Sequence, residues 1–473
     1  MLRRTKIVAT LGPACDPPEE LEQMIVNGLD VARVNFSHGR PEHHAARVRK
    51  LRELAERHNR QVGVLADLQG PKIRIERFRD GPVTLKDGDE FTLDTHLAAD
   101  AGDSHRVGVT YKDLARDVAA GDVMLLDDGN LTMQVQKVTD GRIVCRVING
   151  GVLSDNKGLN RQGGGISAEA LTEKDLEDMR FAVELEADFI AVSFVRDAAE
   201  IERARKLVKQ AGGDGHIIAK IERAEAIDHV DEIIQASDGV MVARGDLGVE
   251  IGDAELVGMQ KQIIRRSRGH NRFVITATQM MQSMVENPQP TRAEVMDVAN
   301  AVLDGTDAVM LSGETAVGRH PAKVIEAVDR ICRGAERQRV TMISNHRLDA
   351  EFETIEEAIA MASMYVANHF DVKAIVAMTE SGMTAKLMSR ISSGIPIVAM
   401  SRRNLTLRRV TLYRGVYPVY FDDTALDVDE SEQLMIDELR RLELVAENDN
   451  VAVTMGEVTG VAGGTNTMKI VEV

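Results

Sequence analysis

Short apolar runs rich in Val, Ile and Ala recur along the chain, and most give way to segments whose apolar residues return every three to four positions. Runs of the first kind suit buried strands and segments of the second kind suit amphipathic helices, so the alternation predicts repeated βα units and a parallel sheet. The runs are KIVATLG (6–12), VARVNFS (31–37), VGVLADL (62–68), DFIAVSF (188–194), HIIAKIE (216–222), GVMVARG (239–245), RFVITAT (272–278) and DAVMLSG (307–313). PPEELEQMIVNG, with proline near its start, TEKDLEDMRFAVELE and PAKVIEAVDRICRGAERQ are examples of the helical patterns. Eight runs match the strand count of a (β/α)8 TIM barrel, and the pattern predicts closure rather than an open doubly wound sheet.

The rhythm breaks between the third and fourth runs. Residues 71–167 read as short alternating strands punctuated by DG, GD and NG pairs, the signature of β-hairpins. This predicts an all-β domain inserted in a barrel loop and able to close as a lid, with GGG at 163–165 as a flexible return. Residues 1–70 and 168–340 then form the barrel. From residue 341 to 473 a second α/β pattern begins: TIEEAIAMASMYVANHF and TAKLMSRISSG read as helices, KAIVAMT, IPIVAMS, VAVTMGEV and MKIVEV as strands.

Composition adds limits. With no Trp in 473 residues, cores must be filled by aliphatic side chains and the 22 Met. A net charge of −17 argues against general binding to nucleic acid or anionic membrane, while leaving room for a local basic pocket. Cys15, Cys145 and Cys332 are too scattered for a disulfide framework or a metal motif, which fits a reducing compartment. No signal-like or membrane-spanning stretch is found, so the expected location is the cytoplasm.

Barrel enzymes place their chemistry at the carboxyl ends of the strands. Polar residues stand out there, because parallel strands covered on both faces are normally apolar. Every run but the first ends in such candidates. Arg33, Asn35 and Ser37 share one side of the second run, and Lys220 and Glu222 share one side of the fifth. Asp67 ends the third, Asp246 follows the sixth, Thr278 ends the seventh and Ser312 lies near the end of the eighth. The set supplies cations for a phosphate, hard oxygen donors for Mg²⁺ and hydroxyls. Each member also has a plainer reading: Lys220 as a rim lysine paired with Glu222, Asp246 as a helix-start residue, Gly245 as a turn glycine. Convergence of the set favours chemistry. In the last region, TESGMTAK (379–386) places hydroxyls between a strand and a helix, a turn that suits either a helix cap or a phosphate.

KIVATLGPAC, DVARVNFSHG, LADLQGPKIR, IIAKIE, GVMVARGDLGVEI, ATQMMQSM, PTRAEVMDVANAVLDGTDAVMLSGETAVGRHP and the closing GGTNTMKIVEV together resemble the pyruvate kinase family, in the family's order from residue 3 to the C-terminus. The resemblance implies a barrel, an inserted lid, a C-terminal regulatory domain and a homotetramer. It also implies transfer of the phosphoryl group of phosphoenolpyruvate to ADP, giving pyruvate and ATP, the last step of glycolysis.

By motif, Glu222 and Asp246 would hold Mg²⁺ or Mn²⁺, and Lys220, assisted by Arg33, would offset charge on the transferring phosphoryl group. Ala243, Gly245, Asp246 and Thr278 would receive the substrate carboxylate. Thr278 or Ser312, through water, would protonate the enolate. Asn35, His38, Arg74 and Lys174 would meet the nucleotide. The family's monovalent site corresponds to Asn35, Ser37, Asp67 and Leu68, but Lys72 stands where potassium-dependent members carry Glu. Its ammonium implies activity without K⁺. Thr379, Ser381, Gly382 and Thr384 match the loop that takes a phosphorylated allosteric effector. The alternatives are a Mg²⁺-dependent barrel lyase acting on an oxo acid, which needs neither Lys220 nor a lid, and a non-catalytic scaffold.

Overall fold

The computed structural model describes residues 2–343, 351–425, 428–457 and 462–473. All eight apolar runs form strands: β1 (Lys6–Thr10), β2 (Val31–Asn35), β3 (Gly63–Asp67), β4 (Phe189–Val192), β5 (His216–Ile221), β6 (Gly239–Ala243), β7 (Phe273–Ala277) and β8 (Ala308–Leu311). They close in the order β1-β8-β7-β6-β5-β4-β3-β2, every pairing parallel. The expected TIM barrel is therefore the fold.

Alternate strand positions face the helices and the barrel interior, and both sets are buried. At the amino-terminal end of the barrel, Phe189 and Phe273 meet edge to face at 5.9 Å, and Phe273 continues to Tyr413 of the C-terminal region at 5.8 Å. Gly239 makes room for this plug, since a Cβ there would lie 2.2 Å from the Phe273 ring. Interior and C-terminal residues thus share one apolar cluster, which includes Met241, Met310, Met364 and Met388.

Four aspartates repeat at the same end. Each stands just before an even-numbered strand and accepts the amide of the second residue of the preceding odd-numbered one. Ile7 donates to Asp30 (2.8 Å), Val64 to Asp188 (2.8 Å), Ile217 to Asp238 (2.8 Å) and Val274 to Asp307 (3.0 Å). Each carboxylate also pairs with an arginine: Arg3 with Asp30, Arg408 with Asp188, Arg205 with Asp238 and Arg390 with Asp307. Two of the four arginines, Arg408 and Arg390, come from the C-terminal region.

Between β3 and β4 the chain makes a six-stranded sheet, in the order 159–161, 123–126, 131–139, 142–149, 90–94, 106–108, and a two-stranded ribbon from 83–85 and 151–153. Asp140 and Gly141 turn the longest hairpin with positive φ at both positions, as a two-residue hairpin turn requires. The glycines at 163–165 are anchored rather than free: Gly163 N donates to the carbonyl of Glu250 at 3.0 Å and Gly165 N donates to the Glu225 carboxylate. After the barrel come β9 (Val372–Met378), β10 (Ile397–Ser401), β11 (Val416–Tyr420), β12 (Asn450–Gly456) and β13 (Thr465–Glu472), ordered β11-β10-β9-β12-β13 with only β13 antiparallel. No helix among the described residues is long and apolar enough to cross a membrane.

Candidate active site

At the carboxyl rim, β5 delivers Lys220 into a buried polar cluster. Its ammonium donates to Ser193 Oγ at 2.7 Å and lies 3.0 Å from Glu222 Oε1 and 3.2 Å from Asp67 Oδ1. Lys220, Glu222 and Asp67 are 9%, 2% and 1% exposed. Burial alone would favour the neutral amine, but the charges of Asp67 and Glu222 outweigh it and hold the ammonium above its usual pKa. Asp67 answers with a lowered pKa: burial opposes ionisation, and Lys220 and Arg33 overcome it. Glu222 goes the other way. Burial raises its pKa and the nearby charge of Asp246 adds to the rise, against the pull of Lys220.

Arg33 leaves β2 and meets Asp67 twice: Nε donates at 2.7 Å, and a terminal nitrogen lies 2.7 Å from the same oxygen. Its other terminal nitrogen donates to Thr10 Oγ1 at 2.8 Å. Thr10 closes β1, so the first strand also contributes to the rim, contrary to the sequence reading. Its hydroxyl donates on to the carbonyl of Leu311 (2.8 Å), fixing it as an acceptor for Arg33. Ser193 is the second residue that the reading missed. A threonine inside a strand-forming run and a serine beside a phenylalanine carry no signal of their own.

Asp246 occupies the first turn of the helix Arg244–Ile251, which starts directly from β6. Thr278 holds a left-handed backbone (φ +71°), an uncommon conformation for a β-branched residue. Its hydroxyl accepts from Gly245 N at 2.8 Å and donates to the Ala277 carbonyl at 2.6 Å. Arg244 braces this corner by donating to the Thr278 carbonyl (2.7 Å) and pairing with Asp297 (2.7 Å). Ala243 is buried at the join, and Ser312 follows β8 with its amide on Glu314 Oε2 (2.7 Å).

The Lys72 ammonium sits 2.9 Å from Asp246 Oδ1, on the carboxylate assigned to the divalent metal. The charges explain the preference. Asp67 is already met by Arg33 and Lys220, whereas the described contacts give Asp246 no other ion pair. In the monovalent set itself, Asn35 Oδ1 accepts from Ser37 N (3.2 Å), the Leu68 carbonyl accepts from Ser193 (2.8 Å), and Asp67 Oδ1 accepts no hydrogen bond.

Of the nucleotide candidates, Lys174 donates to the Phe36 carbonyl (2.9 Å) and pairs with Asp178, while Arg74 donates to Asn156 O (2.9 Å) within the inserted domain. Burial lowers the pKa of His38, and Arg74, Arg33 and Lys72 lower it further, so basic groups cluster around it. Far from this rim, Thr379 Oγ1 accepts from Gly382 N (2.9 Å) and Ser381 Oγ accepts from Met383 N (3.3 Å). Thr384 is fully buried and donates to Glu356 (2.7 Å), so its hydroxyl is already committed.

Glu222 and Asp246 are hard oxygen donors close enough to feel each other's charge, which fits a divalent cation whose remaining ligands are substrate and water. Among the described residues no group of three or more His, Cys, Asp or Glu forms a closed protein cage. An open two-carboxylate site is how Mg²⁺ is usually held beside a phosphate.

A closed barrel with buried cations and paired carboxylates at its rim is the architecture of a barrel phosphotransferase. Comparison with known proteins makes the class specific. Residues 2–325 match the pyruvate kinase barrel domain and residues 357–471 match the pyruvate kinase alpha/beta domain. Pyruvate kinase II of Salmonella typhimurium is 54% identical over 476 residues, covering 100% of this chain and 99% of the relative. Pyruvate kinase of Haemophilus influenzae is 54% identical over 423 residues, 89% of this chain and 88% of the relative. Pyruvate kinase of Buchnera aphidicola subsp. Schizaphis graminum is 51% identical over 476 residues, 100% and 99%. The chain belongs to the pyruvate kinase family.

Proposed function

We propose that this chain transfers the phosphoryl group of phosphoenolpyruvate to ADP, giving pyruvate and ATP, at the rim around Lys220. The observation that carries the reading is the Lys220 ammonium, buried against Asp67 and Glu222 and kept charged by them. Phosphoryl transfer needs little covalent help from the protein; it needs positioning and fixed positive charge where the equatorial oxygens gather negative charge. Lys220 and Arg33 supply that charge. Ser193 and Thr10 keep the two cations aimed, so little reorganisation accompanies the reaction. The Gly245 amide and the Thr278 hydroxyl, which donate to Thr278 Oγ1 and the Ala277 carbonyl, would turn to the substrate carboxylate when it binds. Thr278 or Ser312, through water, returns a proton to the enolate carbon.

Glu222 and Asp246 would hold Mg²⁺ or Mn²⁺, which when bound would supply Lewis-acid charge to the reacting phosphoryl group. Asn35, His38, Arg74 and Lys174 meet ADP. Lys72 brings a fixed ammonium to the root of the lid, so the reaction proceeds without K⁺. The same reading takes 1–70 and 168–340 as the catalytic barrel, 71–167 as the lid and 341–473 as a regulatory domain. A phosphorylated effector is received by Thr379, Ser381 and Gly382, with Thr384 joining if its bond to Glu356 opens. The working form is a homotetramer of the cytoplasm.

The test is pyruvate formation from phosphoenolpyruvate and ADP with Mg²⁺ in potassium-free buffer, for wild type and Lys220→Met. Turnover in the wild type that collapses in the variant supports the reading, and no turnover with or without KCl overturns it.

A further inference from the structure

The return of the inserted domain to the barrel crosses three glycines held by the Glu225 carboxylate and the Glu250 carbonyl. Gly163, Gly164 and Gly165 all have left-handed backbones (φ +80°, +76° and +89°), and a Cβ on Gly164 would lie 2.5 Å from Glu225 Oε2. Glu225 takes the amide of Gly165, and the backbone carbonyl of Glu250 takes the amide of Gly163. A cavity of about 20 Å³, enough for one water, lies at the crossing, with Lys72, Asn160, Gly164, Arg223, Glu225 and Glu250 in its lining.

Glu250 is the unusual member. It is 6% exposed, near the end of the helix that begins with Arg244, and its Oε2 accepts from Ala224 N at 2.8 Å. Ala224 is two residues beyond Glu222, and Glu250 is one helical turn beyond Asp246. A single carboxylate therefore joins the two segments that carry Glu222 and Asp246, while Asn160 of the inserted domain lines the same cavity. Neither carboxylate of the metal pair is bonded directly to the other; their separation is set by the segments they stand on.

We infer that Glu250 is a positioning residue that fixes the spacing of Glu222 and Asp246 for a divalent cation and ties that spacing to the lid's return to the barrel, an inference that rests on the reading of those two residues as the metal pair. Burial, and then the charge of Glu225, push the Glu250 carboxyl up to about 7, against the help of the Ala224 amide. A glutamine could accept the same amide without that electrostatic cost.

The experiment measures Mn²⁺ binding to the full-length protein without substrates, by electron paramagnetic resonance of the free ion. Hydrogen exchange of the 159–166 and 222–226 segments is followed alongside. In Glu250→Ala, Mn²⁺ binding is expected to weaken about tenfold, the scale for loss of a group that orients metal ligands, with faster exchange in both segments. Glu250→Gln keeps the acceptor and is expected to stay within about threefold of wild type on the same scale. If Glu250→Ala does not fold, Glu250→Asp, one methylene shorter, carries the same expectation of weaker binding and faster exchange. Wild-type Mn²⁺ binding and exchange in the Ala or Asp variant, while Glu222→Gln and Asp246→Asn abolish binding, overturns the role of Glu250 alone. Undiminished binding in Glu222→Gln and Asp246→Asn overturns the metal assignment and this inference with it.

Discussion

The ammonium of Lys72 lies 2.9 Å from Asp246 Oδ1, although the two residues are 174 positions apart. Lys72 stands just past β3, where the chain leaves the barrel for the inserted domain, and Asp246 opens a helix above β6. A charge at the root of the lid thus neutralises a carboxylate at the floor of the site. A divalent cation held by Asp246 would compete with that ammonium for the carboxylate.

Lys72→Glu is accordingly expected to convert a potassium-indifferent enzyme into one that needs the ion. It reverses the charge next to Asp246 and replaces the fixed ammonium at the root of the lid with a carboxylate, while Lys220 stays 3.2 Å from Asp67 Oδ1. Initial rates with and without KCl decide the matter: equal rates in the wild type, and a rise of about tenfold or more on adding K⁺ to the variant, on the scale of one fixed charge in a partly buried site. A strict K⁺ requirement in the wild type would sink the idea.

Lys220→Met should lower turnover by about a hundredfold to a thousandfold, the range for removing one preorganised charge from a developing oxyanion. It also leaves Asp67 and Glu222 buried with one cation fewer, so the melting temperature should fall. Lys220→Arg keeps the charge but not the reach to Ser193, and should recover stability better than turnover. A Met variant within about tenfold of wild type would remove Lys220 from the chemistry.

The Glu250 carboxyl gives a pH signature. Its folded pKa, about 7, lies above the ordinary 4.5, so the folded protein holds that proton more tightly than the unfolded chain does. Stability from this group is fully present below about pH 4.5 and is lost as pH rises through about 7. The amide in Glu250→Gln cannot titrate, so the melting temperature of the variant relative to wild type should climb between pH 5 and about 7.5. A flat difference over that window contradicts the assignment.

Arg390 and Asp307 form an ion pair that is 99% buried on both sides. Asp307 also takes the amides of Val274 and Arg414, so removing the arginine strands a charge between strands and domain. Arg390→Met should cost about 3–5 kcal/mol of stability, whereas the double variant Arg390→Met, Asp307→Asn should recover part of it. Denaturant unfolding of the two variants supplies the comparison.

The barrel was legible because its strands are covered on both faces and read as unbroken apolar runs, and its rim because polar residues interrupt the ends of those runs. Lys220 and Glu222 announced each other by spacing on one strand. What stayed hidden depended on contacts distant in sequence. Thr10 reads as an ordinary strand former until Arg33 reaches it from the next strand. The glycines at 163–165 read as slack until Glu225 and Glu250 arrive from beyond β5 and β6. The aspect of Lys72 that local spacing could show was its charge; its partner depended on Asp67 being already satisfied.

The four base aspartates bear on how the molecule is made. Arg3 and Arg205 are available to Asp30 and Asp238 before the barrel is complete, but Arg390 and Arg408 are synthesised only after β8. A nascent barrel on the ribosome therefore holds Asp188 and Asp307 without their cations until the last quarter of the chain emerges. Domains generally fold in order of synthesis. Here the first to emerge waits for the last, and a chain cut short before residue 390 is left with two open seams at its base.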